Sequence, residues 1–432
     1  MQNDSLLRSK YRLLSHLTRA AAHLFSGRDL RNYRIIEAYG PILGLLKPQQ
    51  RDSLVTAAIN IGDDSERVRA IVGLGTGMKH LSEPQRTRLV SAAIDFNINY
   101  YKDSAIAGLS ARTEYLSESQ RAILVATAIG SADDFASAIS ALGTKAAHLS
   151  EPQREGLVNA AISIDIDEER ADAITGLSTG MAHLSEPQRD NLIAEAISIG
   201  DHFDKATAIA GLSAGMAHLS EPQREILFAT AIGFDGDSDK ARAIAGLGAV
   251  MAHLSKPQRD ILFTTAISFS NDSDKARAIS GLGAGMEHLS EPQRESLVTA
   301  AIGFGGSIDK AGAIAGMGAG AAHLNESQCD SLVAAAVGIN SDFDKATAIA
   351  GLSAGVMHLS ERQCDNLVAT AVGISSDFDK ATAIAGLGVG MAHLSEPQRD
   401  SLVAATIGIG DDSHKARAIA GLSAGTDEIV VL

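Results

Sequence analysis

His218-Leu219-Ser220-Glu221-Pro222-Gln223-Arg224 begins a unit that is spelled again from His148, His183, His288 and His393, with close variants from His253, His323 and His358. The same register falls on His80, on Tyr115 and, earliest, on Leu45 ahead of Pro48 and Arg51. Eleven copies therefore start at 45, 80, 115, 148, 183, 218, 253, 288, 323, 358 and 393; every step is 35 residues except that from 115 to 148, which is 33. A fixed period of this size marks a solenoid, in which each unit buries its apolar face only against its neighbours.

One copy predicts two helices. In the unit from His393, Ser395 is a good N-cap, Gln398 completes a Ser-x-x-Gln box, and Pro397 lies in the first turn, where its missing N–H costs little. Leu402, Val403, Ala405, Thr406 and Ile407 follow at helical spacing, and Gly408 and Gly410 end the run. This is helix A, about a dozen residues long. A short acidic link follows, such as Asp235-Gly236-Asp237-Ser238-Asp239. Asp237, Asp272, Asp342, Asp377 and Asp412 share one column, which reads as the N-cap of helix B. Helix B is clearest from Lys240, with Ala241, Ile244, Leu247, Met251 and Leu254 on one face. Glycine recurs inside it (Gly211, Gly246, Gly281, Gly351, Gly386, Gly421) although interior Gly costs roughly 1 kcal/mol against Ala. Close approach of a neighbouring helix explains that recurrence; a kink or a break in helix B is the rival reading.

The expected architecture is all-α: a right-handed α-solenoid of about eleven helix pairs, roughly 100 Å along its curve at about 10 Å per rung. Residues 1–44 read as basic capping helices or a secretion or targeting leader, 45–425 as the array, and 426–432 as a C-terminal tail over the last rung. The aromatic share is only 4% and Trp is absent, so the core must be aliphatic. The formal charge is −15. The leader carries seven basic against three acidic residues, leaving the array near −19, a surface that repels phosphate backbones. Cys329 and Cys364 stand one repeat apart, about 10 Å by helix packing, too far for a bridge within one chain. No apolar run approaches the roughly 20 residues of a membrane span.

The recurring polar columns invite chemistry and mostly decline it. The histidine column from His80 to His393 cannot converge on one ion across rungs, and is expected to lie at the end of helix B against its last carbonyls. The Asp-rich links lack the Gly and bidentate Glu of a calcium loop. The arginine column, including Arg189, Arg224, Arg259 and Arg294, is either a basic stripe for a partner or a ladder paired with carboxylates such as Glu221, Glu225, Asp260 and Glu291. Tyr100, Phe203, Phe343 and Phe378 occupy a link column that elsewhere holds Ser238, Ser273 and Ser413; exposed aromatics on a rigid acidic rim suit a protein partner, and packing onto the next rung is the competing reading. No phosphate-binding loop, catalytic set, metal site or cofactor motif stands apart from the repeat, so an enzyme is not expected.

The alternation of Leu-Ser-Glu-Pro-Gln-Arg, a short acidic turn and Lys-Ala-x-Ala-Ile-Ala-Gly-Leu over residues 45–425 resembles the HEAT-like helical repeats of bacterial proteins, secreted effectors among them. The resemblance implies a non-enzymatic scaffold or adaptor that binds protein, possible action inside a host cell included. A second likeness is to the repeats of transcription-activator-like effectors, carried by Leu219-Ser220-Glu221-Pro222-Gln223, Ala252-His253 and Gly233. It implies sequence-reading of DNA, although here Glu221 precedes Pro222 and the link is Asp-rich.

Overall fold

A computed structural model describes residues 33–130 and 132–427, so the expectations for residues 1–32 and 428–432 lie outside it. The described residues form 23 α-helices joined by twelve short 3-10 helices, with no strand among them. They divide into two compact units, one ending at Ile199 and the other beginning at Gly200. Within each unit A helices pack on A helices, B on B, and each A on its B, as successive rungs.

Each A helix is 12 or 13 residues long, as in Glu221–Gly233 and Glu396–Ile407. Ser220 caps the former: its hydroxyl accepts the Gln223 N–H at 3.4 Å while Gln223 Oε1 accepts the Ser220 N–H at 2.8 Å. Leu227 and its equivalents Leu262 and Leu297 are fully buried, each worth about 1.5–3 kcal/mol. After Gly233 the chain turns through a buried Phe234 and enters the B helix Asp237–Gly248.

Two expectations about helix B are corrected. Its N-cap lies one residue before the aspartate column, at Ser341, Ser376 and Asn271, whose side chains accept first-turn N–H groups. The aspartates open the helix and reach the neighbouring rung instead. Asp342 accepts the Ser375 N–H at 3.0 Å, and Asp377 the Gly410 N–H at 2.9 Å. Helix B also stops earlier than its apolar period suggests. Asp237–Gly248 gives way to the 3-10 turn Met251–His253, and Leu254 is extended. Met251 and Leu254 still face the core, so the periodicity survives while the hydrogen bonding tightens.

The glycines mark a seam between B helices. A Cβ on Gly281 would lie 2.2 Å from the Ala245 carbonyl oxygen, one on Gly351 2.2 Å from the Ala315 Cα, and one on Gly176 2.4 Å from the Ser140 Cα. Backbone thus meets backbone, a contact no side chain permits. The 33-residue step is absorbed in the link and in a shortened B helix, Ala136–Gly143, preceded by the turn Ala132–Asp134. Tyr33–Tyr39, in the expected leader, takes a B position: a Cβ on Gly73 would fall 2.5 Å from the Glu37 Cα.

Rungs are also tied by the box glutamines. Gln363 Nε2 donates to the Glu326 carbonyl and to Asp330, Gln398 Nε2 to the Glu361 carbonyl and to Asp365, and Gln120 Nε2 to Thr87. In each case the donor is in the later rung and the acceptor in the earlier one.

Candidate partner-binding surface

The histidines end the 3-10 turns, not helix B. The main chain of His218 closes the turn by donating to the Gly215 carbonyl at 2.9 Å, and most of the imidazoles are exposed. Among the described residues no group of three His, Cys, Asp or Glu side chains is placed to hold a metal ion. Nor is any helix there long and apolar enough to cross a membrane.

The arginine column serves the same turns. The extended Leu after each turn has a carbonyl without a helical partner, and the arginine five residues on donates to it. Arg189 reaches the Leu184 oxygen at 2.7 Å, Arg224 that of Leu219 at 2.8 Å and Arg294 that of Leu289 at 2.6 Å. Arg259 reaches the Met251 oxygen at 3.5 Å. The expected carboxylate ladder accompanies these bonds in part of the column: Arg121 has Glu118 at 2.9 Å, Arg154 has Glu151 at 2.8 Å and Arg294 has Glu291 at 3.5 Å. Where cysteine replaces arginine the thiols are free and buried, and Cys364 Sγ lies 4.0 Å from the Val356 oxygen. Burial pushes both thiols above the usual range, which keeps them protonated and inert.

Tyr100, Phe203, Phe343 and Phe378 are each the second residue of a B helix: Asn99–Ser110, His202–Ser213, Asp342–Leu352 and Asp377–Val389. They are 72%, 51%, 60% and 39% exposed. The same position in Ser307–Met317 is Ile308, 72% exposed, which a search for aromatic side chains passes over. Ile308, Phe343 and Phe378 therefore stand on three consecutive rungs as a stripe of large apolar side chains.

The four aromatics differ in what covers them. The Arg242 guanidinium lies 3.8 Å from the Phe203 ring centroid, and Arg417 4.7 Å from that of Phe378. Both arginines come from the next rung, at equivalent positions. Phe378 also meets the His414 ring edge-on at 5.4 Å. Burial and the neighbouring Arg277 hold the Arg242 pKa below its ordinary value, but a guanidinium starts so high that it remains cationic over the ring. The position that would cover Phe343 is Thr382, whose hydroxyl turns back to the Phe378 carbonyl at 3.0 Å. Tyr100 has Tyr101 edge-on at 5.4 Å.

The surroundings are acidic. Residues 200–432 carry 16 Lys and Arg against 28 Asp and Glu, net −12, and the three rungs from 288 to 392 carry five against eleven, net −6. Large apolar side chains thus stand exposed within a field of negative charge.

No family model matches the chain, and no curated protein sequence does. Among solved structures, Kap121p is similar at 10% identity and a TM-score of 0.43, with 88% of this chain covering 47% of that one. Kap121p bound to the SUMO protease Ulp1p matches at 11% identity and a TM-score of 0.42, over 92% of this chain and 50% of the other. Kap95p, from a structure with RanGDP, matches at 12% and 0.37, over 89% and 58%. The chain thus spans about half the length of the structures it matches.

Proposed function

We propose that this chain is a non-enzymatic scaffold that binds a protein partner of basic or mixed charge along the starts of its B helices. The observation that carries the reading is the stripe of Ile308, Phe343 and Phe378, exposed on three successive rungs of net charge −6. Exposed large apolar side chains on a rigid frame are the residues that dominate protein interfaces, and surrounding charge selects and steers the partner. Phe203 extends the same chemistry within the unit that begins at Gly200, and Tyr100 presents it separately in the other unit. Arg189, Arg224, Arg259 and Arg294 take part in this proposal mainly by holding the turns, since their guanidiniums donate to turn carbonyls. The resemblance to HEAT-like bacterial effectors supports a host cell as the place of action. Repetition supplies the affinity, because contacts on linked rungs reinforce one another.

The test replaces Ile308, Phe343 and Phe378 together with serine, which the same column already carries at Ser238, Ser273 and Ser413. Proteins crosslinked to the purified chain in host-cell lysate are quantified for the parent and the variant. A discrete partner that the parent retains after nuclease treatment and the serine variant loses supports the reading. Equal recovery by both chains overturns it, as does recovery of nucleic acid alone.

A further inference from the structure

Resting on that reading, we infer that the open face of Phe343 is a seat for an arginine side chain of the partner. The chain itself shows the pairing twice. Arg242 lies over Phe203 and Arg417 over Phe378, each from the rung that follows its ring. Phe343 stands in the same column between Ile308 and Phe378, at the same helix position, with the same kind of acidic first turn. Only its cover differs: the arginine position of the following rung is Thr382, whose hydroxyl donates to its own helix and accepts from Arg417 at 3.4 Å.

The electrostatics favour a cation there. Asp342, Asp344, Asp377 and Asp379 lie in the first turns of the two B helices concerned, against Lys345 and Lys380, so the local balance is negative. Their carboxylates are partly engaged, Asp342 by the Ser375 N–H, Asp377 by the Gly410 N–H and Asp344 by the Ser307 hydroxyl. They therefore provide a field more than a fixed ion pair. A planar guanidinium stacks on the ring and is weakly hydrated, whereas an ammonium keeps its water, so arginine is selected over lysine. Ile308 on the preceding rung, with Thr347 at its own cover position, offers an apolar rest for the partner residues flanking the arginine.

The test measures binding of three labelled nine-residue peptides to the full-length chain by fluorescence anisotropy. They are alike except for arginine, lysine or leucine at the basic positions. The parent is expected to hold the arginine peptide about threefold to tenfold tighter than the lysine peptide. Thr382→Arg supplies the chain's own cover, in a column where Arg242 and Arg277 occupy successive rungs. It should abolish that preference, the added charge weakening the lysine and arginine peptides until the two bind alike. Phe343→Ser adds no charge and should abolish the preference by removing the ring, with the lysine peptide unaffected. Unchanged preference in both variants, with circular dichroism and melting temperature retained, overturns the seat. So does a leucine peptide that binds as tightly as the arginine one and responds to the same variants. If the seat fails while the triple serine variant still loses its crosslinked partner, the docking surface stands and the arginine assignment alone falls.

Discussion

Gln363 divides its amide between two rungs: Oε1 accepts the Ser360 N–H at 2.8 Å, while Nε2 donates to the Glu326 carbonyl at 3.4 Å and to Asp330 at 2.7 Å. That amide bond, ahead of Arg362, holds the Asp330 carboxyl below its usual pKa. Glutamate would keep the capping acceptor but lose the donor and set a second carboxylate against Asp330. Gln363→Glu should therefore cost about 1–3 kcal/mol in urea unfolding at neutral pH, and less in acid, where a protonated carboxyl can donate. The buried Asp103 presents the opposite case. Its Oδ1 accepts the Ala138 N–H at 2.7 Å, yet burial outweighs that bond and raises its pKa. The folded chain thus holds this proton at a pH where the unfolded chain has released it. The stability linked to Asp103 falls as pH rises from the ordinary carboxylate range through the raised value. Asp103→Asn keeps the acceptor and removes the charge, so thermal melts should show the variant gaining on the parent as pH rises toward neutrality. A variant that loses ground over that range would contradict this account.

The B-helix seam makes the sharpest prediction at the scale of an element. Gly281→Ala puts a methyl 2.2 Å from the Ala245 carbonyl oxygen, where backbone on both sides leaves little room to yield. It should lower stability by about 1–3 kcal/mol despite the better helix propensity of alanine. Gly303→Ala, where a Cβ meets nothing within 4 Å, is the matched control and should be close to neutral. The A helices were legible in the sequence because Ser220, Pro222 and Gln223 each state a local rule that the next rung does not alter. Helix B was less so. Several acidic residues in its link could cap it, and Asp342 is drawn away by the loop of the following rung, a partner distant in sequence. Its end was misread because Met251 and Leu254 continue the apolar period through a turn of different hydrogen bonding. The aromatic column was visible as such. Its cover was not, because Arg242 over Phe203 depends on how one rung overlaps the next, and Ile308 was missed because its side chain is aliphatic.

At the scale of the whole molecule, charge is the term that repetition multiplies. Residues 200–432 carry a net −12, so like charges recur along every rung and their repulsion acts over roughly 8 Å at physiological ionic strength. Raising salt from about 0.01 M to about 0.15 M should lift the melting temperature, whereas an array held together mainly by surface ion pairs would lose stability. Scanning calorimetry at the two salt concentrations separates the outcomes. The glutamine ties add a polarity. Gln363 and Gln398 each reach back to a rung made earlier, so a newly translated A helix leaving the ribosome finds its acceptors already folded. Such a chain can be completed one rung at a time, with no long wait for a distant segment. Shortening it from the C-terminal side leaves every remaining glutamine with its acceptor, whereas shortening it from the N-terminal side orphans one; the array has a direction of growth.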